Sequence, residues 1–189
     1  MFRTARLILS DLRAKAEWCY ESGRWPAVVK VLLTDGTPAM IWYRMMQGAR
    51  RWRLAPLEML FNRCNTIFCS CVIGRGAEFG PGFVLIHSLG VVINGSVRGG
   101  AGVKLEHQVT IGAEKRQSPV LGDGVFVGAG AKIVGPVSIG AGARIGANAV
   151  VVKDVPANAT VVGIPPAQVV KIRTCEDSVG EAEKSTPAD

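Results

Sequence analysis

His87 and His107 are the only two histidines in the chain. Histidine changes charge near neutral pH, so either residue could take or give a proton in a catalytic step. Each stands two places after a leucine, Leu85 and Leu105. Three steps of a six-residue pattern, one of them lengthened by two residues, carry Leu85 to Leu105. If three repeats make one coil, the histidines occupy equivalent places on adjacent coils, roughly 5–7 Å apart at the backbone. Two histidines fall short of a three-histidine zinc centre, so no metal is expected. The five cysteines (Cys19, Cys64, Cys69, Cys71 and Cys175) are odd in number and include no CxxC pair. That usage fits buried thiols in a reducing compartment.

The elements that must position the histidines are of two kinds. Residues 1–65 read as helical. Leu7, Ile8, Leu12, Ala16 and Cys19 share one helical face. Pro26 can open a second helix through Leu33, closed by Asp35-Gly36. Thr37-Pro38 resembles an N-cap and first-turn pair for a third helix, reaching about Arg53, and Pro56 opens a fourth toward Arg63.

From Ile73 the period becomes six. Ile73, Phe79 and Leu85 lead, followed by Ile93, Gly99, Leu105 and Ile111. After an interruption come Leu121, Val127, Ile133, Ile139, Ile145 and Val151. Small residues recur four places on, as at Ala77, Ala131, Ala143 and Ala149. Three short strands and three corners then form one triangular coil. Its aliphatic residues point inward and stack about 4.8 Å apart along the axis. The expected fold is mainly β, a parallel β-helix over residues 66–173 behind the helical segment 1–65. Pro156, Pro165 and Pro166 stop the coil, and residues 174–189 read as a disordered acidic tail.

Composition agrees. Of 189 residues, 48% are apolar, only 6% aromatic, and 23 are glycine, which suits small corners in a repetitive β architecture. The net charge of +7 favours anionic partners. No nucleic-acid motif accompanies it, so none is expected as partner. The start, MFRTARLILSDLRAKAE, reads as no signal peptide, and no run reaches the ~18 apolar residues of a spanning helix. A cytoplasmic location is expected. Arg44, Arg50, Arg51 and Arg53 with Trp42 and Trp52 also suggest either peripheral contact with an anionic membrane or a packing helix with a solvated edge.

VFVGAGAKIVGPVSIGAGARIGANAVVVKDVPANATVVGIPPAQVV (Val125–Val170) resembles the C-terminal half of the hexapeptide acyltransferases, and most of all their serine acetyltransferase branch. IHSLGVVI (Ile86–Ile93) is similar to that branch's catalytic strand, and KLEHQVTIG (Lys104–Gly112) to its next coil. The resemblance implies a left-handed β-helix, a homotrimer or a pair of trimers, and acetyl-CoA as co-substrate in a groove between coils. It implies His87 as the general base that activates a hydroxyl. His107 falls where that branch places no base, and its position leaves it to assist, to bind the acceptor or merely to pack. Gly112, Ala129, Ala147, Lys153 and Lys171 are the cofactor-side positions the resemblance implies. Residues 114–118 interrupt the repeat and should project over a neighbour's groove.

Departures from the branch bear on the acceptor. It carries an aspartate just before the catalytic histidine, where Ile86 stands, and another one coil earlier, where Val72 stands. Its Arg-His-Pro loop motif reads Gln117-Ser118-Pro119. Without carboxylates, an amino-acid ammonium loses its partner. The expected acceptor is therefore a saccharide hydroxyl, as in a polysaccharide or glycan precursor. A serine O-acetyltransferase and a non-catalytic scaffold are the alternatives.

Overall fold

The computed structural model describes residues 2–165. Four helices come first: α1 (Phe2–Tyr20), α2 (Trp25–Val31), α3 (Thr37–Arg51) and α4 (Ala55–Cys69). Prolines 26, 38 and 56 each sit in a first turn, where a missing N–H costs no hydrogen bond. α4 runs six residues past the expected Arg63 and stops at Ser70, which turns left-handed at φ 47°.

Short parallel strands then wind through three faces. On the first face Ile73, Ile93, Ile111, Ile133 and Val151 lie in register. Phe79, Gly99, Leu121 and Ile139 follow on the second. Leu85, Leu105, Val127, Ile145 and Val161 line the third. Nearly all of these side chains are buried, together with the corner residues Ala77, Ala131, Ala143 and Ala149. Gly99 breaks the aliphatic column for a packing reason: a Cβ there would strike the Phe79 ring, which fills that space from the coil before. The interior is thus the six-residue pattern folded onto itself, as a parallel β-helix.

A solenoid must close its ends, because an open first coil exposes unpaired backbone groups. Here the helices close it. Asn62 Nδ2 donates to the Ile73 carbonyl at 2.8 Å. The Tyr43 hydroxyl donates to the Ala77 carbonyl and accepts from Phe79 N–H, both at 3.1 Å. Arg44 donates to the carbonyls of Phe79 (2.9 Å) and Gly80 (2.6 Å). Asp11 accepts from Phe83 N–H at 3.0 Å and pairs with Arg44 at 2.6 Å, both side chains being 1% exposed. Four groups from three helices thereby satisfy the first-coil edge.

This capping changes the reading of α3. Arg44 is buried, and Arg50 pairs with Glu58 at 3.1 Å. Trp42 packs near Phe61, with ring centroids 5.9 Å apart. Only part of the expected basic aromatic face is left exposed, so membrane contact has no support here. No helix among the described residues is long and apolar enough to cross a membrane. The thiols are also more varied than expected: Cys71 is buried, but Cys19 is exposed. The expected tail and Lys171 lie outside the described residues.

Candidate active site

The third-face register carries past the strands into the following corner. Leu85, Leu105, Val127 and Ile145 are in register, so His87, His107, Ala129 and Ala147 each follow by two residues in one column. Backbone bonds hold the column: Ile86 N–H to the Leu105 carbonyl (2.9 Å), Glu106 N–H to Val127 (3.0 Å) and Gly128 N–H to Ile145 (2.8 Å). The two imidazoles meet edge-on, centroids 5.9 Å apart at 74°. Both rings are about half exposed, within reach of a substrate.

The two extra residues between Leu85 and Ile93 fall at this corner. The chain bulges through His87, Ser88 and Leu89, and Val91 N–H closes the bulge on the Ser88 carbonyl at 3.2 Å. Corner widening of this kind turns a side chain outward from a regular ladder. His87 is thereby presented to the turn between α2 and α3.

That turn brings a carboxylate which the linear reading missed. Asp35 Oδ2 lies 3.2 Å from His87 Nδ1. Its other oxygen accepts from Gly36 N–H at 2.7 Å and from Ser88 Oγ at 3.2 Å. Burial opposes the charge on Asp35, but the hydrogen bonds from Gly36, His87 and Ser88 outweigh it and hold the carboxyl below its ordinary value. The turn is fastened by Lys15, a fully buried lysine on α1. Its Nζ donates to the Leu85 carbonyl at 2.9 Å, to Ile86 at 3.3 Å and to the Asp35 carbonyl itself. Gly36, at φ 78°, lets the turn come this close, since a Cβ would collide with the Leu85 carbonyl.

The remaining expected site residues divide. Gly112 pairs with Val134 at the far end of the first face, and Lys153 follows Val151 on the same face. Those two stand across the first face from the histidine column, not in it. Lys153 lines a cleft of about 280 Å³ with Val152, Val155 and Pro165. The interruption at residues 114–118 is compact. Glu114 and Gln117 exchange backbone bonds of 2.9 and 2.8 Å around Lys115 and Arg116, both at positive φ. Ser118 Oγ ties its base to Ser96 Oγ at 2.6 Å. Among the described residues no group of three His, Cys, Asp or Glu side chains is placed to hold a metal.

The model of the bacterial transferase hexapeptide family (six repeats) matches residues 118–153. A serine acetyltransferase of Helicobacter pylori J99 is 34% identical over 147 residues, covering 76% of this chain and 86% of the relative. One from Mycobacterium tuberculosis is 43% identical over 129 residues, 66% of this chain and 53% of the relative. The solved Neisseria gonorrhoeae serine acetyltransferase in complex with serine superposes with a TM-score of 0.76 at 29% identity, covering 89% of this chain and 70% of that one. A serine acetyltransferase solved in complex with CoA gives 0.78 at 27% identity, with 86% and 68% covered.

These relatives overturn the saccharide acceptor. That expectation rested on Val72 and Ile86 leaving the site without a carboxylate. A column read along the repeat cannot see a side chain arriving from outside it, and Asp35 arrives from the helical segment as the partner of His87.

Proposed function

Because the chain belongs to the serine acetyltransferase family, we propose that it transfers the acetyl group of acetyl-CoA to the hydroxyl of serine, with His87 as general base. The observation that carries this reading is the exposed His87–His107 pair, stacked in line with the small residues Ala129 and Ala147. A hydroxyl is a weak nucleophile at neutral pH, and a positioned imidazole raises its reactivity.

The reaction follows from that geometry. His87 Nε2 takes the hydroxyl proton as the serine oxygen attacks the thioester carbonyl carbon. A carbon–oxygen bond forms, the carbon–sulfur bond breaks, and the proton on His87 passes to the departing CoA sulfur. His107, one coil on, lies beside the same reacting groups, with Glu106 Oε2 3.6 Å from its Nδ1. Ala129 and Ala147 keep the corner low where the pantetheine arm would run. Lys153 offers a cation toward CoA phosphates from the opposite edge of the first face. Active copies assemble as homotrimers, so that the face between these edges meets a neighbour.

The test is CoA release from acetyl-CoA with serine, compared with threonine, glycerol and a panel of sugars. Turnover with serine at least ten times that with any sugar is expected. A sugar preferred over serine would overturn the reading.

A further inference from the structure

The geometry points to Asp35 as the positioning residue of His87: a carboxylate supplied by the α2–α3 turn, so that the base is set only when the helices are docked on the first coil. The inference rests on the reading of His87 as general base.

Asp35 receives His87 Nδ1 at 3.2 Å. When Nδ1–H donates to a carboxylate, the neutral ring keeps its lone pair on Nε2, the atom that must accept the hydroxyl proton. Both carboxylate oxygens of Asp35 are already held by the protein, one by His87 and the other by Gly36 and Ser88. A carboxylate engaged on both sides is suited to orienting a neighbour, and less to gripping a substrate ammonium. The repeat itself offers only Val72 and Ile86 where such a group would be sought.

The surroundings favour Asp35 as the partner. His107 faces His87 from the next coil, with Glu106 beyond it, against His107. Lys15 lies behind Asp35 and donates to its backbone. Cys69 and Cys71, near Asp35 at the end of α4, have thiols raised by burial, Cys71 to about 12, so they stay neutral. Among the described residues, Asp35 is the anion that contacts His87.

The consequence is a split site. The base sits on the β-helix, whereas the group that orients it sits on the helical segment. Lys15 and Gly36 are the fasteners between them.

The experiment uses the full chain and its Asp35→Asn and Asp35→Glu variants. The ring nitrogens of His87 are followed by NMR through a pH titration, alongside kinetics for serine and acetyl-CoA and a thermal melt. Asp35→Asn is expected to move the proton of the neutral His87 ring from Nδ1 toward Nε2. It should cut kcat by roughly 10–100-fold with both KM values within about twofold, and Asp35→Glu should recover part of the loss. An unchanged His87 tautomer would overturn the inference. So would a raised KM for serine at constant kcat, which would make Asp35 an acceptor ligand. If Asp35→Asn melts early, Ser88→Ala, which removes one of the two donors to Asp35 Oδ1 and so loosens the carboxylate, must still shift the His87 tautomer. The NMR readout needs no turnover, so an inactive protein with the expected tautomer shift would refute the proposed reaction and leave the positioning intact.

Discussion

Replacing Lys15 with methionine preserves side-chain length and removes a buried cation with three acceptors. Lys15 donates to the carbonyls of Leu85, Ile86 and Asp35 and has no exposed surface. Hydrogen bonds from a charged donor contribute about 1.5–3 kcal/mol each, so three contribute roughly 4.5–9 kcal/mol. Desolvation opposes them, and it pushes the amine from 10.5 down to about 8. At about 1.36 kcal/mol per unit, that shift costs on the order of 3 kcal/mol, which methionine avoids. The net loss is on the order of 3 kcal/mol, read by urea unfolding at pH 7. The pH dependence has a definite sign. Below about pH 8 the burial penalty is fully present. Between 8 and 10.5 the unfolded chain holds a proton that the folded chain has released, so folded stability rises with pH. The gap between parent and Lys15→Met should widen across that window. Acetyl transfer should fall as well, because the turn bearing Asp35 loses its anchor. A variant within about 0.5 kcal/mol of the parent, with a flat gap and full activity, would refute Lys15 as the fastener.

Four further outcomes are expected. Gly36→Ala should destabilise the fold by about 1–3 kcal/mol, through left-handed strain and collision with the Leu85 carbonyl, and should lower kcat; chemical denaturation and kinetics check it. Asp11→Ala should cost about 3–5 kcal/mol by stranding the buried Arg44, whereas replacing both with apolar residues should cost less, a contrast read by a double-mutant cycle. Asp35 is held below its ordinary 3.8, so its contribution to docking is present above that pH and lost as pH falls through the lower folded value; a drop in the protection factor of the Gly36 amide in acid, taken relative to its intrinsic exchange rate, would report this. Light scattering should give a mass of three chains, or a multiple of three, and a single-chain mass would contradict the assembly.

The interior of the β-helix was legible in the sequence because its signal is local and repeated. Every inward residue from Ile73 to Val151 falls where the six-residue count places it, including Gly99, whose lost volume Phe79 fills. Three helix starts were readable for a similar reason, as proline announces a first turn. The stacking of His87 on His107 followed from the same count. Asp35 was not readable, because fifty-two positions separate it from His87 and no periodicity links a turn to a corner. Asp35-Gly36 signals a turn, but says nothing about what the turn will face. Asp11 and Lys15 lie on the apolar stripe of α1, between Ile8 and Cys19. Charged residues in such a stripe imply buried polar partners, and here those partners are the first-coil backbone and Arg44.

The most direct test compares His87→Asn with His107→Asn in acetyl transfer to serine, both checked for folding by thermal melt. His87→Asn should lower kcat by roughly 10²–10⁴-fold with a melt close to the parent's, and His107→Asn should lower it less. A folded His87→Asn protein that turns over serine within a few-fold of the parent would contradict the assignment of this corner as the acyl-transfer site.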